Sequence, residues 1–237
     1  MTDLLYMPDI ESNYIRVFDA KVTKSKKDYV VLDKSAFYPE GGGQPTDTGN
    51  LRWDDLEAMV IKVEKKGLIK HVLNTEPPPT GTVVHGTIDW NRRYAHMQMH
   101  TAQHIISGVV FDHYGGRTVG NQIHADYSRV DFQPVSFIDK DLQCIEQICN
   151  DIIASEHPLQ IYHEKRNTLE ARVNPKRCNL DLLPASVTNL RIVEIEGYDV
   201  CPCAGTHVRS TADIPPINII KKEGKGSDKE RIVYGFV

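Results

Sequence analysis

The sequence predicts an α+β protein in two parts: a small N-terminal β-barrel or sandwich, then helices packed on an antiparallel sheet. Three observations predict it. Short apolar alternations broken by polar turns occupy the chain up to residue 90. A long helix-compatible stretch begins just beyond. Strands and helices then follow one another to the C-terminus.

Strand-like runs come first, at Tyr14, Ile15 and Val17, at Tyr29-Val30-Val31-Leu32, and at Ala58, Val60, Ile61 and Val63. Between them, Phe37-Tyr38-Pro39-Glu40-Gly41-Gly42-Gly43-Gln44-Pro45 suits neither a helix nor a regular strand. Glu76-Pro77-Pro78-Pro79-Thr80-Gly81 reads as a stiff connector, and residues 82–88 as one last strand. The expected domains are therefore 1–90 and 91–237. In the second, Tyr94, Met97, Ile105 and Val109 fit a helix over 92–114 that Gly115-Gly116 ends. Residues 126–132 read as a strand. Leu142, Ile145, Ile148, Cys149, Ile152 and Ile153 keep helical spacing over 139–155, and Pro158 closes that helix. Extended chain resumes at Gln160-Ile161-Tyr162, a short helix is expected over 169–173, and strands over 190–195, 217–220 and 231–236.

Composition narrows the function classes. With 237 residues the chain can bury a substantial core. No apolar run approaches the roughly 20 residues of a membrane span, and no basic and apolar leader opens the chain, so a cytoplasmic protein without membrane contact is expected. Five cysteines, an odd number in so long a chain, fit reduced thiols and metal ligation better than a disulfide framework. A formal charge of −4 argues against a broad basic face and against DNA as a partner. A local excess remains near the C-terminus, where Lys221, Lys222, Lys225, Lys229 and Arg231 face Glu223, Asp228 and Glu230.

The chemistry concentrates in two motifs about a hundred residues apart. His100-Thr101-Ala102-Gln103-His104 places two imidazoles four apart, which on a helix stack about 5–6 Å from one another. Cys203-Ala204-Gly205-Thr206-His207 adds a thiol and a third imidazole from a Gly-containing turn. Imidazole and thiolate together suit zinc before other first-row metals. One Zn²⁺ per chain is expected on His100, His104, Cys203 and His207. His96, one turn earlier, is read as facing the helix surface, Cys201 as a small apolar side chain, and Thr101 and Gln103 as structural. Four protein ligands would close the site and make the metal structural, whereas three would leave a position for water or substrate. Spacing leaves both open.

These residues resemble a known family, the free-standing relatives of the alanyl-tRNA synthetase editing domain called AlaX proteins. His100-Thr-Ala-Gln-His104 resembles the family's HTAxH, and Cys203-Ala-Gly-Thr-His207 its CGGTH, with Ala204 in place of a glycine. Gly41-Gly42-Gly43-Gln44-Pro45 resembles the glycine-rich GGGQ motif of the longer members. The three motifs occur in the family's order and span most of the chain.

The resemblance implies an N-terminal β-barrel carrying the glycine-rich motif and a zinc-containing α+β editing domain. It implies hydrolysis of the ester in mischarged tRNA(Ala), chiefly Ser-tRNA(Ala) and in some members Gly-tRNA(Ala), by a chain too short for a synthetase core. The alternatives are a zinc-stabilised tRNA-binding module without catalysis and a threonyl-type editing deacylase. The expected nucleophile is a zinc-ordered water, with no side-chain base assigned. A hydrogen-bonding group must read the serine hydroxyl, because a pocket for alanine cannot reject a near-isostere that only adds one. In the family that role resembles a Thr or Gln after the HxxxH helix, so Thr118 is expected to bind substrate, with Gln122 as its substitute. The glycine run could cradle phosphate through backbone N–H groups, although the plainer reading is a sharp turn. Resemblance implies that it abuts the pocket, which adds Gly42, Gly43 and Gln44 to the expected substrate contacts. Arg92, Arg93, Lys221, Lys222 and Lys225 are the expected phosphate contacts for tRNA.

Overall fold

The computed structural model describes residues 1–178 and 180–237, which divide after Ala95 into two compact units. The first begins with β1 (Asp3–Leu4), β2 (Val17–Ser25), β3 (Tyr29–Leu32) and β4 (Lys34–Ser35), and β1 pairs with β4 in parallel. β5 (Gly49–Trp53), β6 (Leu56–Lys66), β7 (Leu68–Leu73) and β8 (Val83–Ile88) follow. Six of these strands close a barrel in the order β2-β3-β7-β6-β5-β8, so the barrel, not the sandwich, is formed. Alternation explains the closure. Phe18, Ala20 and Val22 of β2 point inward, as do Ala58, Val60 and Val63 of β6, and with Val30, Leu32, Leu51 and Val84 they fill the interior. The barrel leaves none of its six strands an open edge, which removes a template for aggregation. β5 and β7 were not legible as strands.

The glycine-rich segment is a turn. Gly41 and Gln44 exchange backbone hydrogen bonds of 3.1 and 2.9 Å, and between them Gly42 and Gly43 take φ of 58° and 83°. Two left-handed residues at the centre of a two-residue loop are what a hairpin turn of the I′ kind requires. The Gly41 and Gln44 amides are thus committed to carbonyls within the turn.

The second unit is organised by α1 (Trp90–Tyr114), whose first residues belong to the first. Gly115, at φ 69°, ends it with an amide bonded to Phe111 O. β9 (Arg117–Gln122) and β10 (Ser128–Gln133) form a hairpin, and α2 (Asp139–Ala154) starts where Asp141 Oδ2 accepts from Ile138 N. Next come β11 (Leu159–Lys165), α3 (Arg166–Arg172), β12 (Asn189–Ile195), β13 (Asp199–Pro202), β14 (Ile217–Gly224) and β15 (Glu230–Phe236). Two antiparallel sheets result, β14-β15-β10-β9 and β11-β12-β13. In the first, Val130, Phe132, Ile232 and Tyr234 are buried on the face that meets α1, where Tyr234 donates to Met99 O at 2.9 Å. Asn150 of α2 secures β14 by bonding both the amide and the carbonyl of Ile217.

Candidate metal centre

α1 is buried on more than one side: Met97, Met99, Ala102, Ile105, Ile106, Val109 and Val110 are all nearly inaccessible. Helical polar groups here therefore need partners. This corrects one expectation, because His96 is buried rather than on the helix surface (1% exposed). It also makes His100 and His104 inward-facing, with ring centroids 5.4 Å apart.

The second half of the cluster arrives from the end of β13. Cys203 Sγ lies 3.5 Å from His100 Nε2 and 3.4 Å from His207 Nε2, and the donor atoms of His100, His104, Cys203 and His207 are all within 4.8 Å of one another. Tetrahedral zinc with Zn–N and Zn–S bonds of its usual length has ligand-to-ligand edges of roughly 3.3–3.7 Å. The sulfur-to-nitrogen distances fit that geometry, and the mixed sulfur and nitrogen set fits its chemistry. Among the described residues no other group of three or more metal-ligating side chains includes His96 or Cys201.

Three of the four candidate ligands, His104, Cys203 and His207, are oriented from behind by residues that composition and spacing did not expose. Thr101 Oγ1 donates to Met97 O at 2.9 Å, so at 3.1 Å it accepts from His207 Nδ1 and leaves Nε2 to face the cluster. Thr101 is therefore more than a structural spacer. His104 Nδ1 is 3.6 Å from Asp199 Oδ2, and Asp199 is itself held by Arg177 Nε at 2.9 Å. Arg177 is anchored in turn by Asp112. Arg191 donates to Cys203 O and Gly205 O at 2.6 and 3.0 Å, fixing the turn that presents the thiol. An arginine inside the apolar strand Leu190-Arg191-Ile192-Val193 was the one sequence signal of this support.

Electrostatics favour the ligating form of Cys203 and of His207. Burial alone would raise the Cys203 thiol, but His100, His104 and His207 around it bring it well below its usual value, toward thiolate. Burial and the charge of His100 push His207 down to about 3. At His104 burial opposes the charged ring, yet Asp199 and Cys203 outweigh it and raise the imidazole to about 10. Asp199 is held below its ordinary value, against its burial, by His104 and Arg177.

Thr118 sits on β9 and donates to Ser107 Oγ at 2.8 Å, and Ser107 also accepts from Gln103 Nε2 at 2.7 Å. Asn121 donates to Gln103 Oε1 at 3.3 Å. This polar chain runs beside the ligands, since residues 100, 103, 104 and 107 share one helical stripe. Gln122 is not part of it. A bulge opposite Asp131 and Phe132 inserts Val119, so Thr118 pairs with inward Phe132 while Gln122 pairs with outward Arg129. Gln122 Oε1 accepts from Arg129 Nε at 2.9 Å on the far face of the sheet, which removes it as a substitute for Thr118.

The expected phosphate contacts separate as well. Arg93 is fully buried and grips Asp47, Asn13 O and Ala36 O, so it offers nothing to a phosphate. Its burial follows from that acid 46 residues earlier, which spacing could not reveal. Arg92 is partly exposed and donates to Thr46 O. Lys221 and Lys225 each pair with Glu223 at 2.8 Å, and Lys222 reaches Phe137 O and Glu230. Gly42, Gly43 and Gln44 lie in the first unit's turn, with Gln44 buried.

A closed barrel followed by an α+β unit with a buried three-histidine, one-cysteine cluster is a two-part protein with a candidate metal site, and the family comparisons place it in the tRNA-synthetase-related class. Residues 11–92 match the family described as tRNA synthetases class II (A), and residues 190–233, which contain Cys203 and His207, match the threonyl and alanyl tRNA synthetase second additional domain. The chain is 39% identical to the alanyl-tRNA editing protein AlaX-M of Methanosarcina barkeri over the whole of both sequences. It is 35% identical to AlaX-M of Saccharolobus solfataricus, covering 99% of this chain and 98% of that protein. Against the alanine–tRNA ligase of Pyrococcus furiosus it is 36% identical over 94% of its length but only 25% of the ligase. The chain belongs to the AlaX family of alanyl-tRNA editing proteins.

Proposed function

We propose that the protein is a trans-editing hydrolase that deacylates mischarged tRNA(Ala) in the cytoplasm, chiefly Ser-tRNA(Ala) and also Gly-tRNA(Ala). The observation that carries the proposal is the convergence of His100, His104, Cys203 and His207 in a chain that aligns end to end with alanyl-tRNA editing proteins. In this reading residues 96–237 form the editing domain, and those four side chains hold one zinc ion. Bound there, zinc would supply positive charge, and Lewis acidity if one of the four ligands yields its position.

The chain's own groups do the remaining work. Hydrolysis adds water to the aminoacyl carbonyl and releases the amino acid and the tRNA 3′-terminal hydroxyl. An ester is already activated, so positioning and charge stabilisation suffice without an assigned side-chain base. The Thr118 hydroxyl donates to Ser107, and in this reading it accepts the hydroxyl of the serine ester. Alanine would leave that acceptor unpaired and glycine would make no such contact, which ranks serine first.

A second reading has a specific observation in its favour. Four protein donors within 4.8 Å can close a tetrahedral site, and closed sites are structural. The protein would then be a zinc-stabilised tRNA binder. Incubation with Ser-, Gly- and Ala-tRNA(Ala) separates the two, with the His104→Ala variant and a chelated sample alongside. Loss of the serine ester, reduced in both controls, is expected; stable esters in every tube would leave only the binder.

A further inference from the structure

The β14-β15-β10-β9 sheet has a second face, turned away from α1, and a groove of about 440 Å³ lies on it. Its walls include Gln122, Tyr127, Arg129, Lys221 and Arg231, over a floor with Val233 and the half-exposed Ile220. No metal ligand and no member of the polar chain at Thr118 borders it. We propose that this groove binds a nucleotide of a single-stranded RNA segment, the base against the Tyr127 ring and the phosphate between Arg129 and Lys221.

Three features of the groove point to that occupant. Tyr127 leans on His124, with ring centroids 5.5 Å apart, yet 51% of it stays in solvent. An aromatic face braced on one side and open on the other is a stacking platform that any base can use. Arg129 sits in the groove with a single hydrogen bond, to Gln122, and has no carboxylate partner among the described residues. A half-buried guanidinium without a counter-ion is matched by a phosphate, which its planar fork can hold through two bonds. The third feature is charge. Arg129, Lys221 and Arg231 line the groove against one carboxylate, Glu223, and Glu223 is already neutralised by Lys221, Lys225 and Arg231. Arg231 is the fixed wall, clamped on Asp131 at 2.6 Å, while Lys221 is exposed and free to exchange a surface ion pair for a phosphate. An acidic peptide would satisfy the cations but would leave the Tyr127 platform without a use.

Topology connects the groove to the site. β9 is the edge strand of its sheet, and its bulge turns Gln122 into the groove while Thr118 and Asn121 face α1. A flexible strand crossing that edge would have one nucleotide in the groove and its end near Thr118. Taking that RNA to be the unpaired end of tRNA rests on the editing function proposed above; the groove's affinity for single-stranded RNA does not.

The test measures binding and turnover separately. Metal-replete protein is titrated with uncharged tRNA(Ala), a short single-stranded oligoribonucleotide and its duplex, and the same variants are assayed on Ser-tRNA(Ala). Tyr127→Ser and Arg129→Gln are each expected to weaken single-strand binding about tenfold. Arg129→Gln should also flatten the salt dependence by about one counterion, and KM should rise with kcat unchanged. Tyr127 stands at the surface of a hairpin, so its variant keeps the question open to test if Arg129→Gln fails to fold. Unchanged binding in Tyr127→Ser, or equal competition by poly-glutamate, would overturn the groove proposal even with hydrolysis intact. Groove-dependent binding without hydrolysis by the unaltered protein would instead uphold the groove and remove the editing function.

Discussion

Thr101 Oγ1 accepts from His207 Nδ1 at 3.1 Å, linking the helical motif to the turn motif. The hydroxyl can do this because its own proton is spent on Met97 O. Thr101→Val keeps the shape and removes the acceptor, so His207 loses the bond that fixes its tautomer. Retention of zinc against a competing chelator should fall roughly 10–100-fold, with circular dichroism unchanged. Equal retention would show that packing alone orients the ring.

Asp199 supports His104 in the same way, but through charge. The imidazole is raised to about 10, so it carries a proton at neutral pH that a metal must displace. Adding zinc to stripped protein in weak buffer should release about one proton per ion. Asp199→Asn lowers the imidazole and should reduce that release while weakening zinc binding. An indicator dye reads both, and no proton release from the unaltered protein would contradict the charge state assigned to His104.

Arg93 and Asp47 are both fully buried, and the arginine also satisfies Asn13 O and Ala36 O. Removing one partner of such a pair strands the other, at a cost of about 3–5 kcal/mol. Arg93→Met should show that loss in urea unfolding, and adding Asp47→Leu should recover part of it. Since the guanidinium meets no solvent, the salt dependence of tRNA binding should stay the same in any variant that folds.

That pair marks where sequence reasoning stops. The barrel strands β2 and β6 were legible because one face is apolar and the other wet, and β3 because it is a short apolar run. So were α2, through its 3.6-residue period, and the four cluster residues, through their spacing. Arg93 looked like a surface cation because its partner lies 46 residues away and only barrel closure unites them. β9 was hidden for another reason: Arg117-Thr118-Val119-Gly120-Asn121-Gln122 has no apolar alternation, and its bulge breaks the parity by which Thr118 and Gln122 would share a face. Asp199 supports His104 through hairpin register and helix packing, which no local pattern encodes, and Arg191 showed only as a charge inside an apolar strand.

Thr118 carries the selectivity argument. Thr118→Val preserves volume, removes the hydroxyl and leaves Ser107 its Gln103 donor. An unmade hydrogen bond of this kind is worth about 1–3 kcal/mol. For Ser-tRNA(Ala), kcat/KM should therefore drop roughly 5–150-fold, whereas Gly-tRNA(Ala), with no hydroxyl, should change little. A parallel fall for both substrates would assign Thr118 to the fold rather than to recognition.

His71 gives the first unit a pH dependence of its own. It is fully buried in the barrel, 2.7 Å from Ser35 Oγ, with Phe37 edge-on at 5.7 Å, and burial pushes its imidazole from 6.5 down to about 4. The folded chain keeps the ring neutral where the unfolded chain would protonate it. The stability this contributes is therefore complete above pH 6.5 and is lost progressively as pH falls toward 4. Between pH 7.5 and 5 the loss from this one group is about 2 kcal/mol. Both tryptophans, Trp53 and Trp90, lie in the first unit, so their fluorescence in urea reports it directly. His71→Gln keeps a polar partner for Ser35 without titrating, and its stability should fall less over that interval by the same amount. Parallel declines in the two proteins would place the acid sensitivity elsewhere.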